Sequence, residues 1–207
     1  YATNPELYTL DNNKNVWPSW AGKDFNYEFI VQSSVSPYSD VYYRKINTAE
    51  NWKKIIDEKD NVTSVYGFNN KLFFISKKNA PKGKVMLMDM SNPVIAKASL
   101  IVPEKDIPIE SGLTQSKNFL IAPYIKNGVQ LYHFIVDMRN NKVSKIPFPE
   151  NTNLMYVTPF NKNNDDVHIL RSGWITPLTY TYSNLDKPYA TEKTFAFRKS
   201  TKYPYTD

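Results

Sequence analysis

One motif recurs four times along this chain: a stiff apolar strand, a short polar turn, and a second strand that closes on an aliphatic or Met residue just before a loop. The closing residues are Ile46 (VYYRKI), Met90 (KVMLMDM), Met138 (YHFIVDM) and Leu185 (TYTYSNL). They return every ~44 to 48 residues, a period that fits a four-stranded propeller blade and exceeds those of ankyrin and leucine-rich repeats. The spacing predicts an all-β chain: a partial β-propeller of about four four-stranded antiparallel blades.

The punctuation is that of antiparallel hairpins. Asn69-Asn70 separates TSVYGF from KLFFIS, Asn127-Gly128 precedes VQLYHFIV, and Asn140-Asn141 precedes KVSKIPF. These residues tolerate the left-handed backbone that tight hairpins demand. Prolines outnumber glycines, fourteen to six, and Pro37, Pro81, Pro103, Pro123, Pro147, Pro159 and Pro177 are read as falling between apolar runs or at their ends, where a missing N–H does least harm to a ladder. The best helical stretch, 48–56 (TAENWKKII), is short and reads equally well as a turn leading into an outer strand WKKII. Residues 16–60 are expected to form one blade (WPSW, YEFIVQS, VYYRKI, WKKII) and 61–105 a second (TSVYGF, KLFFIS, KVMLMDM, ASLIV). A third spans 106–150 (SGLTQ, NFLIAPY, VQLYHFIVDM, KVSKIPF), and 151–207 holds the last (LMYVTPF, VHILRSG, LTYTYSNL, KTFAF) with an exit segment. Residues 1–15 read as the end of a preceding blade.

Composition narrows the partners. With 207 residues, 41% of them hydrophobic and 14% aromatic, the chain can bury a core and is not a disordered tail. No window approaches 18 consecutive apolar residues and the N-terminus shows no basic start, so neither a membrane span nor a leader is expected. The expectation is a soluble protein, cytoplasmic or periplasmic, with the compartment left open. Absence of cysteine excludes disulfide scaffolds, thiolate zinc sites and a Cys nucleophile. The net charge of +6 is spread along the chain, with lysines adjacent only in pairs such as Lys53-Lys54 and Lys77-Lys78. Nucleic acid is therefore not an expected partner, and solvated strand edges account for the lysines.

Several segments carry a family resemblance. The stretch 71–93 (KLFFISKKNAPKGKVMLMDMSNP), followed by Leu100-Ile-Val-Pro-Glu104, resembles the propeller domain of prolyl oligopeptidase family serine peptidases. So do Phe29-Ile-Val-Gln-Ser-Ser-Val-Ser-Pro37 with Val41-Tyr-Tyr43, and Ser172-Gly-Trp-Ile-Thr-Pro177 running into Leu178-Thr-Tyr-Thr-Tyr182. The Asp89 to Pro93 spacing and the IVPE segment lean toward the prolyl endopeptidase branch over oligopeptidase B. Gly173-Trp174 departs from the more usual S-F or S-L pair and marks a divergent member. The resemblance implies part of a seven-bladed ring that caps an α/β-hydrolase domain bearing a Ser-Asp-His triad, and admits short peptides. That hydrolase domain is the expected partner, in a parent serine-type oligopeptidase of which this chain would be a fragment.

No catalytic centre is expected within the chain itself. None of its glycines forms the G-x-S-x-G elbow that exposes a nucleophilic serine beside an oxyanion hole. His133 and His168 both fall inside expected strands, where a satisfied core or surface histidine is the simpler reading than a general base. Asp165-Asp166-x-His168 is better read as a hairpin turn than as metal ligands, so neither metal nor cofactor is expected. Trp17, Pro18, Val35 and Trp174 are the candidates for lining a substrate chamber, since aromatic faces and proline rings pack well. Trp20 and Trp52 are read as packing between blades. The resulting function is selection without chemistry, by steric exclusion and loop contacts. The alternative is a stand-alone or degenerate propeller acting as a protein-interaction module. A part-ring would also leave apolar blade faces open to self-association.

Overall fold

A computed structural model of the protein describes residues 15–19, 25–110, 112–147, 152–174, 178–187 and 193–197, with backbone alone for 15–19 and 193–197. The expected remnant of an earlier blade, 1–15, thus lies almost wholly outside the described residues. The chain divides into two compact units, Tyr1–Asp106 and Ile107–Asp207, and each holds two four-stranded sheets.

In the first unit, one sheet runs β1 (Asn15–Ser19), β2 (Tyr27–Ser33), β3 (Ser39–Lys45) and β4 (Lys53–Ile56). The next runs β5 (Val62–Phe68), β6 (Lys71–Ser76), β7 (Lys84–Asp89) and β8 (Ser99–Val102). Both are meanders: every strand pairs antiparallel with its neighbour in sequence. This is the topology of a propeller blade. Of the two readings of 48–56, the turn followed by a strand holds. Trp52 packs beneath the Arg44 guanidinium, 4.4 Å from the ring centroid.

Tight turns form where Asn accepts a positive φ. Asn69 and Asn70 lie at φ 41 and 59, the paired left-handed geometry that two-residue hairpins need to match strand twist. The repeat in the sequence also has a structural counterpart. The N–H of each closing residue donates to the carbonyl of the residue preceding the second strand of its own sheet: Ile46 to Asn26, Met90 to Asn70, Met138 to Asn118 and Leu185 to Asp165, at 2.8–3.0 Å. This bond is the last rung of the central hairpin, which is why the motif ends there.

The first unit's core brings Phe25, Phe29, Val41, Ile55 and Ile56 of one sheet against Val62, Leu72, Phe74, Met88 and Met90 of the next. Phe25 stacks on Phe29 with centroids 5.2 Å apart, and the Tyr27 hydroxyl donates to the Met90 carbonyl at 3.0 Å. At about 1.5–3 kcal/mol for each large apolar side chain buried, this interface outweighs the backbone ladders in holding the sheets face to face. The connection between the sheets is pinned by polar contacts. Asp57 and Asp60 cap the short 3-10 turn Glu58–Asp60, Asp40 accepts from the Glu58 N–H at 2.8 Å, and the Ser76 hydroxyl donates to the Asp60 carbonyl at 3.0 Å.

The second unit repeats the plan with β9 (Thr114–Gln115), β10 (Phe119–Lys126), β11 (Gln130–Asp137) and β12 (Lys142–Lys145), then β13 (Leu154–Pro159), β14 (Asp166–Ser172), β15 (Thr179–Asn184) and β16 (Lys193–Phe197). Phe119, Ile121, Ile135 and Ile146 pack against Met155, Val157, Val167, Ile169 and Leu185. Polar ties also join these sheets, among them the Lys117 N–H donating to the Asn164 carbonyl at 2.9 Å. The buried Asp165 carboxylate accepts from the Ser116 hydroxyl (2.8 Å), the Asn118 N–H (2.8 Å) and the Asn118 amide (2.6 Å). At the rim, Arg139 bridges Asp137 and Asp186, both at 2.8 Å.

Candidate functional site

The four residues singled out for a substrate chamber fall in different surroundings. Trp17 and Pro18 lie on β1, paired in register with Val31 and Ile30; their side chains lie outside the described residues. Val35 tops the loop 34–38 between β2 and β3 and is fully exposed. That loop is shaped by two serine turns, with the Ser36 N–H donating to Ser34 Oγ at 3.3 Å and the Tyr38 N–H to Ser36 Oγ at 3.2 Å. Such local bonds hold an exposed apolar side chain outward without burying the backbone that carries it. Trp174 follows β14 and is 87% exposed, the most open of the described tryptophans. Val35 belongs to the first unit and Trp174 to the second.

The two histidines differ sharply. His168 on β14 is exposed and lies against Phe160, with ring centroids 3.7 Å apart. His133 on β11 is 3% exposed, and burial pushes its imidazole down to about 4, so the ring is neutral at physiological pH. Its Nδ1 has no hydrogen-bond partner. Among the described residues neither ring is hydrogen-bonded to a serine or a carboxylate in the manner of a general base. Asp165 lies in the hairpin loop that joins β13 to β14, as the turn reading expects, and its carboxylate in addition binds Ser116 and Asn118. Among the described residues no group of three or more His, Cys, Asp or Glu side chains is placed to hold a metal ion, and no helix there is long and apolar enough to cross a membrane.

The second unit contains a cleft of about 470 Å³ that sequence reasoning did not find. It lies along the edge of the third sheet where two described stretches of chain pair with β10. The first runs beside β10, with the Ile125 N–H donating to Pro108 and the Glu110 N–H to Pro123. The chain then turns at Gly112, φ +96, and pairs again at Thr114 and Gln115. Ile121, Pro123, Leu131 and His133 line it from the third sheet, Leu154 and Val157 from β13, and Glu110 and the exposed Val129 complete the wall. The signals available in the sequence were Gly112 inside the expected strand SGLTQ and Pro123, which lies in the middle of β10, paired with His133, and not at the end of an apolar run.

The comparisons with known proteins agree on the fold. The profile described as prolyl oligopeptidase, N-terminal beta-propeller domain, matches residues 11–195. Among solved structures, the chain is similar to one from an analysis of two prolyl endopeptidases and the role of inter-domain dynamics in their catalysis and specificity: TM-score 0.73, 15% identity, 90% of this chain and 27% of that one. It is similar to oligopeptidase B from Trypanosoma brucei with covalently bound antipain: TM-score 0.73, 16% identity, 92% of this chain and 28% of that one. It is likewise similar to prolyl oligopeptidase B from Galerina marginata bound to a 35mer hydrolysis and macrocyclization substrate: TM-score 0.72, 16% identity, 91% and 27%. No curated protein sequence matches the chain. The chain spans 27–28% of the length of these solved relatives, and the profile that covers most of it places it in the prolyl oligopeptidase family, as β-propeller-domain sequence.

Proposed function

We propose that this chain serves as the non-catalytic, gating part of a prolyl oligopeptidase-like serine peptidase, restricting access to short peptides and lending exposed loops to the substrate chamber. The observation that carries this reading is the match of residues 11–195 to the family's propeller domain. The lack of a G-x-S-x-G elbow in the chain agrees with it. A propeller axis lined by the innermost strands is too narrow for a folded domain, so a triad behind it meets flexible peptides only. Chemistry would come from a hydrolase domain of the same protein. Val35 and Trp174 would contribute apolar contacts that hold a peptide before it reaches that triad.

The test has two arms. This chain alone leaves a proline-containing chromogenic peptide intact and takes no label from a serine-directed phosphonate. The protein in which it is continuous with a hydrolase domain cleaves that peptide and spares a folded substrate. In that protein, Val35→Asp raises KM with little change in kcat, as expected for a contact made equally in the ground and transition states. Equal cleavage rates for folded and short substrates would refute gating, and labelling of the chain alone would refute its non-catalytic assignment.

A further inference from the structure

We infer that the cleft between the third and fourth sheets is a binding site for a small organic cation, an amine joined through an aromatic body to a hydrogen-bonding group at its far end. This assignment is separate from peptide gating and rests on chemistry within the second unit. The volume, about 470 Å³, falls in the range of small-molecule sites.

Three observations define the ligand. The charged group lining the cleft is Glu110, whose carboxylate has no ion pair or side-chain hydrogen bond among the described residues. Although the chain as a whole carries +6, the described residues that line this concavity include an acid and no Lys or Arg. An ammonium is favoured there and an anion disfavoured. Next, Glu110 and His133 flank Pro123 on one face of the third sheet: the Glu110 N–H donates to the Pro123 carbonyl at 2.9 Å, and Pro123 pairs in register with His133. Two strand spacings separate them, about 10 Å, and the surface between is the proline ring with Ile125 and Leu131 beside it. That surface suits the flat body of an aromatic amine.

The third observation is His133 itself. Its side chain is 3% exposed, lines the cleft, and leaves Nδ1 without a partner. An unmatched buried polar atom is costly, and a ligand group that bonds it recovers that cost. The neutral ring offers a donor or an acceptor, which a phenolic hydroxyl can meet in either sense. Gly112 and Gly128 have open space where a Cβ would stand, so the rim adds no steric block.

The probe is tyramine, which carries an ammonium and a phenol at opposite ends of one ring. The full chain is titrated by calorimetry with tyramine, with phenethylamine lacking the hydroxyl, and with 4-hydroxyphenethyl alcohol lacking the charge. Tyramine is expected to bind at sub-millimolar to millimolar concentration, and each control about fivefold or more weakly. Glu110→Gln is expected to weaken tyramine about tenfold while leaving the alcohol unaffected. Val129→Lys, at an exposed position of the cleft wall, places a competing cation in the same cleft as Glu110 and weakens tyramine without touching the core. Unchanged circular dichroism confirms that both variants are folded. Equal binding of tyramine and the alcohol, no heat at ~10 mM tyramine, or indifference to both substitutions would each overturn the assignment.

Discussion

Replacing Asp165 tests how the second unit is held together. Its carboxylate is 6% exposed and accepts three hydrogen bonds, from the Ser116 hydroxyl, the Asn118 N–H and the Asn118 amide. Hydrogen bonds to a charged acceptor contribute about 1.5–3 kcal/mol each, but three that share one acceptor do not add. Asp165→Ala removes all three and leaves the fully buried Ser116 hydroxyl dependent on a weak 3.5 Å contact to the Phe119 carbonyl. The expected loss is about 3–5 kcal/mol, a large fraction of what a unit of this size possesses.

Asp165→Asn separates geometry from charge. The Oδ1 position, which serves Ser116 and the Asn118 N–H, survives as a carbonyl. The Oδ2 position becomes an amide donor facing the Asn118 amide, and rotation of that amide by half a turn restores a bond. The cost should therefore fall to about 1–2 kcal/mol. Urea unfolding followed by far-UV circular dichroism reads both variants. The transition assigned to the second unit moves to lower urea, in the order wild type, Asn, Ala, and that of the first unit stays in place. An Ala variant within ~1 kcal/mol of wild type, or an Asn variant as damaged as Ala, would refute the clamp.

Two further outcomes follow from burial. His133 is held from its ordinary 6.5 down to about 4 by desolvation, so the unfolded chain takes up its proton first; stability is complete above about pH 6.5 and falls as pH drops toward 4, by about 3 kcal/mol in total. Urea midpoints across that window should show this slope in the wild type and a flatter one in His133→Leu, and parallel slopes would refute it. On one face of the fourth sheet, Tyr156, Phe160 and Tyr180 are 44–46% exposed, a patch expected to drive self-association of the chain. Light scattering should give a mass above that of a monomer, reduced by Phe160→Lys with Tyr180→Lys; a monomer at high concentration would refute it.

Local chemistry made much of this chain legible. Hairpin strands declare themselves through short apolar runs, and Asn at positions such as 69, 70 and 127 declares positive φ, because turn conformation depends on a few adjacent residues. The closing residues Met90, Met138 and Leu185 marked the ends of central hairpins for the same reason. What no local pattern could supply was which face of each sheet meets another sheet. Met90 is 1% exposed and Ile46, at the matching rung, is 44% exposed, since burial depends on stacking and not on the strand's own residues. His133 and His168 look alike in sequence, each inside an apolar strand, yet one lies in an interior cleft and the other on an open face. Asp165 reads as one more turn residue until the turn between β9 and β10, with Ser116 and Asn118, is brought beside it. Glu110 likewise meets His133 only across β10, through pairing of segments distant in the chain. Sequence by itself determined the hairpins, their period and the turns; tertiary stacking decided the buried faces, the clamp and the cleft, because those depend on surfaces meeting across chain distance.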